Sequence, residues 1–172
     1  MTVTDLVVPA PGLPIRIDRT YDSLQRGASG DFGHGWSLGV KVQLEIGNTQ
    51  DVTFTINGQR RTFYFTPVPG GILNFLYWGA YPEPGLFGSL QLKGSNCDPN
   101  AIYDGPNGAQ LLKTGSVYIC AVGYALFQPT LFTYTDPYGR VYTIGSDGSL
   151  NSVGDVGGNT LTIAAAGIRS NH

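Results

Sequence analysis

The sequence predicts an all-β chain of antiparallel hairpins, a twisted sheet or partial β-shell with little or no helix, and three observations predict it. Charged residues make up only 13% of the 172 positions, too few to cover the polar faces that helices show to water. Tyrosine and phenylalanine are plentiful, at 10 and 8 residues, and both suit pleated, half-buried surfaces. The 25 glycines cluster with Asn, Asp and Pro between short alternating runs, as turns between strands do.

Residues 5–14 are apolar but interrupted by Pro9, Pro11 and Pro14, so an extended edge or arm is expected there rather than a helix. Residues 15–21 alternate with a period of two, which places Ile15, Ile17, Arg19 and Tyr21 on one face of a half-buried strand. The Gly- and Ser-rich stretch 23–35 ends in Asp31-Phe32-Gly33-His34-Gly35-Trp36. Gly33 and Gly35 permit positive φ or close backbone approach, which predicts a shaped loop that drops its aromatic rings into a core. Tyr21, Trp36, Gly33 and Gly35 are therefore structural candidates, and His34 is expected to pack on Trp36.

Three strand-like runs follow at 40–46, 51–56 and 61–65. The last two are joined through Asn57-Gly58, a pair that tolerates the positive φ of a tight hairpin turn. Residues 66–88 break that rhythm with Phe75, Tyr77, Trp78, Tyr81, Phe87 and several prolines, so this stretch is either a packing insert or a binding surface. A short strand at 90–93 precedes a Gly/Asn/Asp/Pro loop at 94–108. Strand character returns at 117–126 and 131–134, and a second hairpin turns through Asp136-Pro137-Tyr138-Gly139 into 140–144. After the Asp147-Gly148 turn come Leu150 and Val153, then the 155–159 turn and a strand at 160–163. The pattern fades over 164–172, where fraying is expected. The reading is one β-rich segment in three parts: strands and a Gly-rich loop at 1–65, an aromatic insert at 66–115, and hairpins at 116–172.

A formal net charge of −2 lacks the Lys/Arg footprint that a phosphate backbone demands, so nucleic acid is not an expected partner. No apolar run approaches the roughly 20 residues of a membrane-spanning helix, and the first twenty positions do not read as an export signal. Cys97 and Cys120 fit either one disulfide in an oxidising compartment, worth about 3 kcal/mol in the chain-entropy model, or two buried thiols. Two thiolates without a nearby histidine pair fall short of a tetrahedral metal site, so no metal or cofactor is expected.

Two groups of residues resemble the RHS/YD-repeat family. Asp5-Leu6-Val7-Val8-Pro9, Leu13-Pro14-Ile15, Arg19-Thr20-Tyr21-Asp22-Ser23 and Phe32-Gly33-His34-Gly35-Trp36-Ser37 look like the stretch that opens the family's repeat region. Tyr134-Thr135-Asp136-Pro137-Tyr138-Gly139-Arg140, Gly148-Ser149-Leu150 and Asp155-Val156-Gly157-Gly158-Asn159-Thr160-Leu161 are similar to its hairpin consensus. The resemblance implies a sheet ribbon that spirals into a hollow extracellular shell or cell-surface scaffold, enclosing a toxin in bacterial members. It leaves the aromatic middle, 66–115, uncovered. Family members with an enclosed toxin self-cleave near a terminal Asp-Pro-x-Gly; Asp136-Pro137-Tyr138-Gly139 has those letters without the surrounding motif and reads as a turn.

Catalytic constellations are not expected. His34 has no assignable nucleophile or orienting carboxylate. Asp98 with Asp104, and Asp147 with Asp155, are the carboxylate pairs available to frame a scissile bond, but each sits where its side chain would cap a turn. Asp98, Asn100, Asp104 and Asn107 offer oxygens to calcium without EF-hand spacing. The glycines at 27–35 and 154–158 precede no phosphate-binding helix. Two functions are carried forward: a non-catalytic structural module that packs against the rest of a parent protein or self-associates through sheet edges, and an extracellular carbohydrate-binding domain using Phe75, Tyr77, Trp78 and Tyr81.

Overall fold

The computed structural model describes residues 1–8, 15–27, 29–30, 33–38, 42–56, 59–70, 75–97, 109–164 and 167–171. These are mostly strand, in antiparallel sheets, with one 3-10 turn at Ser23–Gln25. That turn starts where the Asp22 carboxylate accepts from the Leu24 N–H at 2.9 Å.

The N-terminal part forms a three-stranded sheet. β1 (Thr2–Val8) is its edge and pairs with β2 (Ile15–Tyr21); after the two-stranded ribbon β3 (Ser29–Gly30) and β4 (Gly33–His34), β5 (Trp36–Leu38) pairs with the other side of β2. Asp5 bulges out of the β1–β2 register, and both its carboxylate oxygens accept from Arg19, at 2.6 and 2.7 Å. The extended edge expected at 5–14 is therefore strand through Val8; residues 9–14 lie outside the described part.

The core begins at Val42. β6 (Gln43–Ile46), β7 (Val52–Ile56) and β8 (Gln59–Phe65) form a meander. Ile56 lies opposite Gln59 in the β7–β8 pairing, and the tip expected at Asn57-Gly58 lies outside the described residues. Strict alternation along β7 buries Val52, Phe54 and Ile56 on one face. The insert at 66–88 contributes β9 (Val68–Pro69), β10 (Leu76–Tyr77) and β11 (Ala80–Pro82). β11 extends the meander to the order β11-β8-β7-β6, whereas β10 joins β9 to β13 (Gln110–Thr114), which pairs with β14 (Val117–Cys120).

The remaining strands form one six-stranded sheet. β12 (Ser89–Ser95) pairs with β15 (Pro129–Thr135), and β16 (Val141–Gly145), β17 (Leu150–Gly154), β18 (Thr160–Ala164) and β19 (Gly167–Asn171) follow in sequence order. β19 corrects the expected fraying at 164–172: Ile163 faces Ile168, and five residue pairs lock β19 onto β18. Backbone pairing to an existing edge orders a sequence whose own pattern is weak.

The meander lies against the first half of this sheet. Phe54 and Phe63 meet Tyr134 edge-on at 5.1 and 5.9 Å, and Trp78 meets Phe132 at 5.8 Å. Aromatic pairs of this kind add about 0.5–1.5 kcal/mol each beyond their buried area. The Tyr134 hydroxyl is not left bare, because Arg61 Nε donates to it at 3.0 Å.

Candidate functional site

Register fixes which side chains share the inner face of the six-stranded sheet. One row runs Leu90, Tyr134, Tyr142, Val153, Leu161, Ser170, each opposite the next across neighbouring strands. Leu90, Tyr134 and Tyr142 are at most 5% exposed, whereas Val153, Leu161 and Ser170 are only half-buried. A second row runs Leu92, Phe132, Ile144, Leu150; the first three are buried, and Leu150 is half-buried at the margin of the core. Asn151 is the extra residue that bulges β17 and keeps both Leu150 and Val153 opposite core residues. Val153 still packs at the margin of the core, whereas Leu161, Ile163 and Ile168, on the same face of β18 and β19, are half-buried and are not among the residues packed against it.

The turns at the ends of this sheet share one geometry. In 136–140, 145–149 and 155–159, the first N–H donates to the fifth carbonyl and the fourth N–H to the first carbonyl. The fourth residue is a glycine at φ +80°, +81° or +85°, the left-handed position that closes a three-residue hairpin loop. Asp136 and Asp155 open two of these turns in matching ways. Asp136 accepts from the Tyr138 and Arg140 N–H groups at 2.9 Å and from Arg140 Nε at 2.7 Å. Asp155 accepts from the Asn159 N–H at 2.9 Å and its Nδ2 at 2.8 Å. Burial pushes the Asp136 carboxyl up, but the donors from Arg140 and Tyr138 outweigh it and hold it below its ordinary value. Hydrogen bonds from Ser149 and from Asn159 likewise lower Asp147 and Asp155. The same turn occurs at 47–51, where Gln50 holds the left-handed place at φ +70°.

The aromatic insert residues do not form one surface. Trp78 is 1% exposed inside the core, Phe75 and Tyr77 are half-buried, and Tyr81 is 64% exposed on β11, opposite the exposed Tyr64. Tyr21 and Trp36 face each other across β2 and β5 with rings 5.3 Å apart, and Arg19 covers Trp36 at 5.2 Å. Gly33 and Gly35 have φ of +100° and +75°, and a Cβ on Gly35 would meet the Tyr21 ring at 2.8 Å. His34 is exposed and lies opposite Ser29 across the β3–β4 ribbon. Cys97 and Cys120 are joined as a disulfide with Cα atoms 5.3 Å apart. Asp98, Asn100, Asp104 and Asn107 fall outside the described residues, as does Phe32. Among the described residues no group of three His, Cys, Asp or Glu side chains is placed to hold a metal ion. No described helix is long and apolar enough to cross a membrane. Sequence reasoning missed Tyr64, Arg61 and the uncovered face of β18 and β19; the alternation Leu161, Ile163 was the available signal for the last.

These features define an antiparallel β protein whose principal sheet has buried residues facing the core on β15 and β16 and half-buried ones on β17, β18 and β19. The family model of a domain of unknown function, DUF6531, matches residues 1–65. The match ends at the last residue of β8, so the matched segment supplies Val42, Val52, Phe54, Ile56 and Phe63 to a core that later strands complete. No curated protein and no solved structure matches the chain.

Proposed function

We propose that the chain is a non-catalytic wall segment of an extracellular RHS/YD-repeat shell or scaffold. The observation that carries this reading is the decline of burial along the row Leu90, Tyr134, Tyr142, Val153, Leu161. A sheet whose apolar face continues past its cover is completed by further protein, either later segments of a parent chain or a like subunit. Recurrence of one turn between successive strands supports the same reading, since such units stack along a growing sheet. β19 lies at one edge of the six-stranded sheet, the place where a further strand would add.

Light scattering over a range of concentrations tests it. The chain is expected to self-associate, and Ile168→Lys, which puts a charge on the edge strand, is expected to shift it toward monomer. A clean monomer at high concentration would count against the proposal, as would specific turnover of a substrate abolished by changing His34 or an aspartate.

A second reading, a carbohydrate-binding domain, is favoured by one observation: Tyr64 and Tyr81 are 46% and 64% exposed on directly opposed positions. Calorimetric titration against a glycan panel separates the two. Heat lost in Tyr81→Ala would favour binding, and no heat with any glycan would leave the structural module.

A further inference from the structure

The ends of β12 and β14 lie in different sheets, and the Cys97–Cys120 bond ties them. Regular pairing of β12 with β15 lapses just before that tie, with register shifts between Leu92 and Gly94 and between Gly94 and Ser95. Asn96 takes over from the ladder. Its N–H donates to the Gln128 carbonyl at 3.0 Å, its Oδ1 accepts from the Gln128 N–H at 2.8 Å, and its Nδ2 donates to the Leu126 carbonyl at 2.8 Å. These bonds hold the tip 121–126, which the Cys120 N–H closes by donating to the Ala125 carbonyl at 2.8 Å.

The tip has little burial of its own to fix it. Val122, Tyr124 and Leu126 are 49%, 69% and 53% exposed, and Tyr124 sits at φ +53°, where a side chain is disfavoured. On either side the chain is anchored: Cys120 and Phe127 are each 1% exposed. Both cysteines border the core, but its rings Phe54, Phe63, Phe132, Tyr134 and Tyr142 stand on β7, β8, β15 and β16, whose pairing with one another does not involve either cysteine.

We infer that Cys97–Cys120 is a redox latch on this apolar tip, presenting Val122, Tyr124 and Leu126 in a fixed arrangement when oxidised and releasing them when reduced while the aromatic core stays folded. The chemistry is thiol–disulfide exchange with a dithiol: the S–S bond breaks, both cysteines become thiols, and the dithiol becomes the new disulfide, having given two electrons and two protons. Because Cys97 is 8% exposed and Cys120 1%, exchange waits on opening of the tip. The fixed tip then exists only in an oxidising compartment.

Hydrogen exchange read by mass spectrometry on the whole chain, oxidised and dithiothreitol-reduced, tests this. Reduction is expected to speed exchange of the amides at 120–128 by about tenfold or more, with β7, β8, β15 and β16 unchanged. The paired substitution Cys97→Ser with Cys120→Ser is expected to match the reduced pattern without reductant and to ignore it. Unchanged exchange at the tip after reduction would overturn the latch. So would simultaneous loss of protection in tip and core, in the reduced chain or in the double variant.

Discussion

Arg140 grips Asp136 twice within one five-residue turn, through its backbone N–H to Oδ1 at 2.9 Å and through Nε to Oδ2 at 2.7 Å. The carboxylate is almost fully buried while the guanidinium keeps contact with water, so the pair avoids most of the cost of burying two charges. Asp136→Asn keeps the shape and removes the charge. It is expected to lower stability by about 1–2 kcal/mol at neutral pH, read by urea unfolding.

The sign of the pH dependence follows from the lowered pKa of Asp136. The folded state holds the carboxylate ionised more strongly than the unfolded state does, so the stabilisation is full above the unfolded value of about 3.9 and disappears as pH falls through the lower folded value. The stability gap between the natural chain and Asp136→Asn is expected to be flat above about pH 5 and to shrink below about pH 4. A gap that widens on acidification would contradict this assignment.

Gly148 and Gly158 have nearly equal φ, +81° and +85°, but different surroundings. A Cβ on Gly148 would collide with the Val42 carbonyl oxygen, whereas one on Gly158 meets nothing within 4 Å. Val42 also donates its N–H to the Gly148 carbonyl at 3.0 Å, which seats the start of the meander on the 145–149 turn. Gly158→Ala is expected to cost about 1 kcal/mol, the left-handed penalty alone, and Gly148→Ala about 3 kcal/mol or more because backbone must move as well. Equal losses in thermal unfolding would remove the contact between meander and turn from the account.

Gln50 holds the place that glycine holds in the three sister turns, and its Oε1 is buried with no hydrogen-bond partner among the described residues. Gln50→Gly relieves a left-handed penalty of about 1–2 kcal/mol and forfeits about 0.5–1 kcal/mol through a freer unfolded chain. A net gain of about 0.5–1 kcal/mol in urea unfolding is expected. A loss would mean that the glutamine side chain makes packing contacts that outweigh its strain.

Hairpins whose information is local were legible in the sequence. The turns through Asp136 and Gly139, and through Asp155 and Gly158, carry their own φ requirements and their own carboxylate caps, so composition alone announces them. The insert was not legible as strands, because β9, β10 and β11 are two or three residues long and make no period. Their partners are distant: Tyr77 lies opposite both Val68 and Gln110. The same shortness explains why Phe75, Tyr77, Trp78 and Tyr81 looked like one cluster, although changes of strand between them send Trp78 inward and leave Tyr81 outside. β19 was missed for another reason, since Gly167–Asn171 has a single large apolar residue and takes its order from the edge it joins.

Amide exchange followed strand by strand across the six-stranded sheet, at a concentration where light scattering reads monomer, tests the half-buried end most directly. Protection is expected to be highest at β15 and β16, under Phe54 and Phe63, with a stepwise fall through β17 to β18 and β19. Equal protection from β15 to β19 in the monomer would contradict it, because a sheet that holds its last strands as firmly as its first has no need of a neighbour to finish it.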